Sequence, residues 1–173
     1  MPPGLTVPFR KTAPFEELLE GTRHVLLCLL KAEIVPAFGL ALPPANKHLS
    51  LEGQFLQPQF PGAYVTLHDL DGSMVDIHVF RASSGMILGC SSAGRSAVSD
   101  VLTAATAIAA AQLLDGVIND FGHYWLNKDE YSSEELLATL SLPESNRGLD
   151  FQTAIGLISK RQFQPSSYGF IST

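Results

Sequence analysis

The sequence is short of charge, of cysteine and of recognisable catalytic signatures. Asp, Glu, Lys and Arg make up only 16% of the 173 residues, against 46% hydrophobic residues. That balance excludes an intrinsically disordered chain, which needs the reverse. Basic residues are scarcer than acidic ones, 11 against 17, for a net charge of −6. A broad phosphate-binding surface is thereby excluded, and no nucleic-acid partner is expected. The two cysteines, Cys28 and Cys90, belong to no Cys-x-x-Cys pair. Neither structural zinc nor any other metal or cofactor is therefore expected, and both read as reduced thiols of a cytosolic protein. The N-terminal stretch MPPGLTVPFRK lacks the apolar core of a secretory leader. The most apolar run, Val25 to Leu42, is interrupted by Lys31, Glu33 and Pro36 and so does not read as a membrane span. A cytoplasmic protein without a membrane partner is expected.

What is present fits one α+β domain over residues 1–173, a length that buries a core without staples. Residues 1–11 read as an extended arm and 164–173 as a loose Ser/Gly-containing tail. Thr12 is expected to cap a helix running to Leu30, burying Phe15, Leu18, Leu19, Val25, Leu26 and Leu29. A strand at Arg23–Leu30 is the alternative. The prolines and glycine of Pro36–His48 mark a loop, and Leu49–Leu56 alternates loosely as a strand would. Two further strands flank Asp71-Gly72. A three-residue turn with Gly72 left-handed pairs Leu67 with Val75, Val65 with Ile77 and Ala63 with Val79, and gathers the apolar residues on one face.

The stretch Met86–Leu126 forms the spine of this reading: a strand, a small-residue loop, an alanine-rich helix with Val98, Val101, Leu102, Ala105, Ile108, Ala109 and Leu113 on its buried stripe, and a short strand ending in aromatics. Gly116 stands where a left-handed residue closes the helix. Ser132 or Ser133, and then Asp150, cap two C-terminal helices. The expected architecture is an antiparallel sheet of four or five strands packed on the long Ala-rich helix, with the N-terminal and two C-terminal helices around it.

Three places invite chemistry. The loop Gly89–Gly94 enters a helix, where backbone N–H groups can meet an anion, and offers Cys90 or Ser91 as a nucleophile with His123 and Asp120 available. It lacks the full elbow pattern, and no Gly-Lys-Ser/Thr occurs. Asp76, His78 and His68 share one hairpin face but are spread too widely for a zinc site. At the end of the spine, His123, Tyr124 and Trp125 stand among Asp115, Asp120, Asp129 and Glu130. This is an acidic, aromatic surface suited to a basic protein partner. Phe121, beside them, reads as core closure.

The run TAIAAAQLLDGVINDFGHYW, Thr106 to Trp125, resembles a pattern in small bacterial proteins of polymorphic toxin systems. There an Ala/Leu-rich helix runs into a glycine, a short strand and a second glycine. Asp115-Gly116 stands here in place of a Gly-Gly pair, and His123-Tyr124-Trp125 in place of small residues. The resemblance implies an immunity protein that binds and neutralises a cognate toxin. We therefore expect a non-enzymatic binding module whose partner is a basic toxin domain, contacted through His123, Tyr124, Trp125, Asp120, Asp129 and Glu130. A small enzyme using the Gly89–Gly94 loop is the alternative, and a secretion-chaperone-like homodimer a further one.

Overall fold

The computed structural model describes residues 4–94, 96–123, 125 and 128–162. Seven strands form one sheet: β1 (Gly4–Phe9), β2 (Phe38–Ala41), β3 (Ala63–Leu67), β4 (Met74–Ala82), β5 (Gly85–Ser92), β6 (Ile118–Asn119) and β7 (Glu130–Tyr131). Four α-helices accompany them: α1 (Phe15–Leu30), α2 (Ala97–Leu114), α3 (Ser133–Leu140) and α4 (Phe151–Ser159). The sheet order is β2-β3-β4-β5-β1-β6-β7, antiparallel throughout. The expected α+β class holds, and four or five strands become seven.

The added strands come from segments whose prolines suggested irregular chain. Residues 4–9 of the expected arm are β1, between β5 and β6 near the middle of the sheet, with Leu5, Val7 and Phe9 buried. Pro8 is tolerated because β6 meets β1 only at Thr6, which leaves β1 with a neighbour on one side alone at Pro8. The expected loop 36–48 contains β2, an edge strand paired only with β3. Conversely, 49–56 forms no strand: it is turn and bend with one isolated bridge, Pro14 to Phe55, and it buries Leu56 in the core.

The β3–β4 register is displaced by two residues from the expected one: Ala63 faces Ile77 and Val65 faces Val75. A shift of two returns every side chain to the same face, so hydrophobic alternation does not distinguish the registers. The turn decides. Ser73 Oγ accepts the Leu67 N–H at 2.9 Å and lies 2.8 Å from the Leu70 carbonyl, taking the place of a ladder partner and widening the turn to 68–73. Gly72 is left-handed as expected, and Asp69 joins it.

α1 is a helix throughout, which settles the Arg23–Leu30 alternative. Its N-cap is Pro14, without a side-chain bond, and not Thr12. Residue 15 instead donates its N–H to the Gln54 carbonyl at 2.8 Å. α2 is buried all round and not along one stripe, because the sheet lies on one side and the other three helices on the rest. It is long and apolar enough to cross a membrane, yet 78% of that stretch is buried inside the domain. Its left-handed cap is Asp115, φ 52°. Gly116 serves a different need: a Cβ there would stand 2.6 Å from the Pro8 carbonyl oxygen. Ser132 caps α3 and Asp150 caps α4. The expected tail, 164–173, lies outside the described residues.

Candidate functional site

The strands β6 and β7 form a two-residue ladder closed by residues 120–129. The loop is pinned from within. Asp120, fully buried, donates its N–H to the Asp129 carbonyl at 2.7 Å, and its carbonyl accepts the His123 N–H at 2.9 Å. Its Oδ2 accepts the Trp125 N–H at 2.9 Å, while Oδ1 is buried without a partner among the described residues. Trp125 is wholly buried and forms the loop's own core. At the closing end, Lys128 Nζ contacts both carboxylate oxygens of Glu135 at 2.6 Å and lies 5.1 Å above the Tyr131 ring. Tyr131 Oη donates to the Lys128 carbonyl at 3.0 Å.

The expected surface residues therefore divide. His123 and Asp129 meet as a partly exposed pair, Nε2 to Oδ1 2.7 Å, and Glu130 is exposed. Asp120 and Trp125 are interior, so they shape the loop and present no surface. Tyr124 lies outside the described residues. The residue expected in the core, Phe121, is 73% exposed. Asp115 stands apart, in an ion pair with Lys11 at 2.6 Å. No sequence signal separated Phe121 from Trp125. Both are aromatics in a short polar loop, and burial was decided by which one Asp120 draws inward.

The Gly89–Gly94 stretch differs from the loop expected of it. Through Ser92 it is strand β5. Cys90 is fully buried, and burial pushes its thiol well above the ordinary value, with Asp76 adding to the effect. It cannot supply a thiolate there at neutral pH. Ser91 lies opposite Asp76 and Gly4, on the sheet face away from the Cys90 side chain. The turn before α2 is tied to β4, and the Ser99 N–H of the first helical turn is capped by Ser96 Oγ at 3.2 Å. The N–H groups of Ala93 and Gly94 donate to the Met74 carbonyl at 2.8 and 3.1 Å, and Ser92 Oγ donates to Asp100 Oδ1 at 2.6 Å and bonds Ser99 Oγ. A carboxylate thus already occupies the first turn of α2, where an anion was expected. A Cβ at Gly94 would stand 1.6 Å from the Gly72 carbonyl oxygen, so the stretch is a close clamp between the β3–β4 turn and α2.

Asp76 and His78 lie on the sheet face opposite the helices, where the His78 ring stacks on Phe80 at 5.6 Å. His68 is exposed beyond the end of β3. Among the described residues no three His, Cys, Asp or Glu side chains come together to hold a metal. A groove of about 550 Å³ lies where Arg10, Lys11 and Met86 meet the end of α2 at Leu114–Val117, and none of the described residues of the 120–129 loop lines it. Comparison with protein-family models, curated proteins and solved structures gives no match.

Proposed function

We propose that the chain is a non-enzymatic, cytoplasmic binding protein of the immunity type, which neutralises a basic toxin domain through the 120–129 loop. The observation that carries this reading is Phe121, 73% exposed next to fully buried Asp120, whose Oδ2 accepts the Trp125 N–H. Backbone that is tied down before binding, as at Asp120, His123 and Asp129, loses little entropy on binding. An exposed aromatic on such a loop is the kind of side chain that anchors an interface when it enters a pocket. Asp129 and Glu130 beside it supply negative potential that steers a basic partner and suppresses acidic ones. Burial of Cys90 and the Asp100 carboxylate in the first turn of α2 weigh against the enzyme alternative.

The test is co-expression and titration with the toxic domain encoded by the neighbouring gene. The chain should restore growth and bind tightly. Phe121→Ala should weaken the complex by about 30-fold or more, which is about 2 kcal/mol. Glu130→Lys should slow association, with the difference shrinking as salt rises. If the chain gave no protection, or if both variants bound like the parent, this reading would be wrong.

A further inference from the structure

Most of the described arginines are engaged. Arg23 and Arg147 pair with glutamates, and Arg161 donates to the Thr139 and Ser141 carbonyls. Arg10 and Arg81 differ: neither makes an ion pair or a side-chain hydrogen bond with any described residue. Both line one groove of about 430 Å³ at the β4–β5 hairpin. The hydroxyls of Ser83 and Ser84, in the turn of that hairpin, line the same groove and are likewise uncommitted among the described residues. No carboxylate of the described residues lines it. In a chain with 17 acidic and 11 basic residues, this is a local reversal of charge.

The sheet register builds the place. Phe9, Met86 and Arg81 lie across β1, β5 and β4 in one row. The next row on the same face, Val7, Leu88 and Val79, is core, none of it more than 8% exposed. Alternation therefore calls for an apolar residue at position 81, and the chain places an exposed arginine there. This row emerges where α2 ends, and it leads into the groove of about 550 Å³ at Leu114–Val117. The two grooves share Phe9, Arg10, Ser84 and Met86. Together they make a cleft that is cationic at the hairpin and apolar where Met86 meets Leu114 and Val117. The carboxylate of its far wall, Asp115, is held by Lys11 at 2.6 Å, which leaves Arg10 and Arg81 as the uncompensated charge.

We propose that this cleft binds a small amphipathic oxyanion, with a carboxylate or phosphate head between Arg10 and Arg81 and a short apolar body along Met86 towards Leu114 and Val117. Guanidinium groups match the paired oxygens of either head, and the serine hydroxyls add donors. Each groove has the size of a small-molecule site. Charge limits the size of the occupant. A nucleic acid or an anionic bilayer would need a wider basic surface, and this chain, at net charge −6, repels both outside the cleft. A ligand with one or two negative charges meets only the two arginines.

Calorimetric titration of the whole chain with octyl phosphate, octanoate, inorganic phosphate and octyltrimethylammonium tests the proposal. One octyl phosphate or octanoate should bind per chain, the tighter of the two identifying the head group. Inorganic phosphate, lacking the body, should bind at least about 10-fold more weakly, and the octyl cation should not bind. Arg10→Gln and Arg81→Gln should each weaken the octyl anions by about 10-fold, with thermal unfolding confirming that both variants fold. Amide NMR shifts on titration should centre on Gly85–Met86 and Gly116–Val117. Phe121→Ala should bind the octyl anions like the parent, which separates this site from the function proposed above. The proposal is overturned if neither octyl anion binds, if the octyl cation binds as well, or if both arginine variants bind like the parent. Co-sedimentation with phosphatidylglycerol vesicles in place of binding to the free octyl anions overturns it too.

Discussion

Phe121 and Trp125 share one loop and have opposite surroundings, and their variants should fail in opposite ways. Trp125 is fully buried, so Trp125→Ala removes a large side chain from the interior and should cost about 3–5 kcal/mol of stability in urea unfolding. Phe121 is mostly solvated, so Phe121→Ala should change stability by no more than about 0.5 kcal/mol. Any loss of binding in the Trp125 variant then reports a disordered loop, whereas loss in the Phe121 variant reports a missing contact. The sequence made the acidic and aromatic character of this region legible, but not which aromatic faces water. That depends on the buried carboxylate of Asp120, whose Oδ2 holds the Trp125 N–H. An aspartate in a short polar loop reads as exposed until its partners are known.

At the scale of elements, the long periodic ones were legible and the short ones were not. α1, α2, α3 and α4 follow from apolar spacing, acidic first turns and serine or aspartate caps. β1 and β2 were hidden because proline punctuates both, and the rule that proline breaks strands weakens wherever one side of a strand has no neighbour. The C-terminal third has an electrostatic feature of its own. Its carboxyl groups Glu134, Glu144 and Asp150 all lie below their ordinary range. The causes are the α3 backbone N–H at Glu134, then Ser132 and Ser133; for Glu144, hydrogen bonds from Arg147 and Lys31; for Asp150, those from Thr153. A depressed folded value means the stabilisation is complete above the ordinary carboxylate range and is lost as pH falls through the lowered value. Acidification from pH 5 to 2 should therefore lower the amide protection factors, corrected for the intrinsic rate, in α3 and in α4. Ser132→Ala should raise the Glu134 value towards 4.5 and, by removing the acceptor for the Glu135 N–H, cost about 1 kcal/mol. Carboxylate titration by NMR and urea unfolding at neutral pH check the two effects separately.

For the molecule as a whole, the order of the sheet makes the start of the chain an interior part. β1 joins β5 to β6, so it links the four-strand run β2-β3-β4-β5 to the hairpin that presents the 120–129 loop. A dispensable arm and an internal strand predict opposite results for deletion of residues 1–9. An arm would leave the unfolding transition unchanged. β1 buries Leu5, Val7 and Phe9, each at most 4% exposed. Removing three such side chains from the core forfeits about 5–9 kcal/mol at roughly 1.5–3 kcal/mol each. A domain of this kind has only about 5–15 kcal/mol of net stability. The loss also strips β5 of one whole ladder and β6 of its attachment, and exposes Gly116, which is packed against the Pro8 carbonyl. Deletion of residues 1–9 should accordingly abolish the cooperative urea transition. Val7→Ala, which keeps the ladder and removes only a buried isopropyl group, should lower the midpoint while leaving the transition cooperative. If the truncated chain unfolded like the parent, the placement of β1 inside the sheet would be wrong. The route by which the β6–β7 loop is held to the rest of the core would then have to run through α2 and α3 alone.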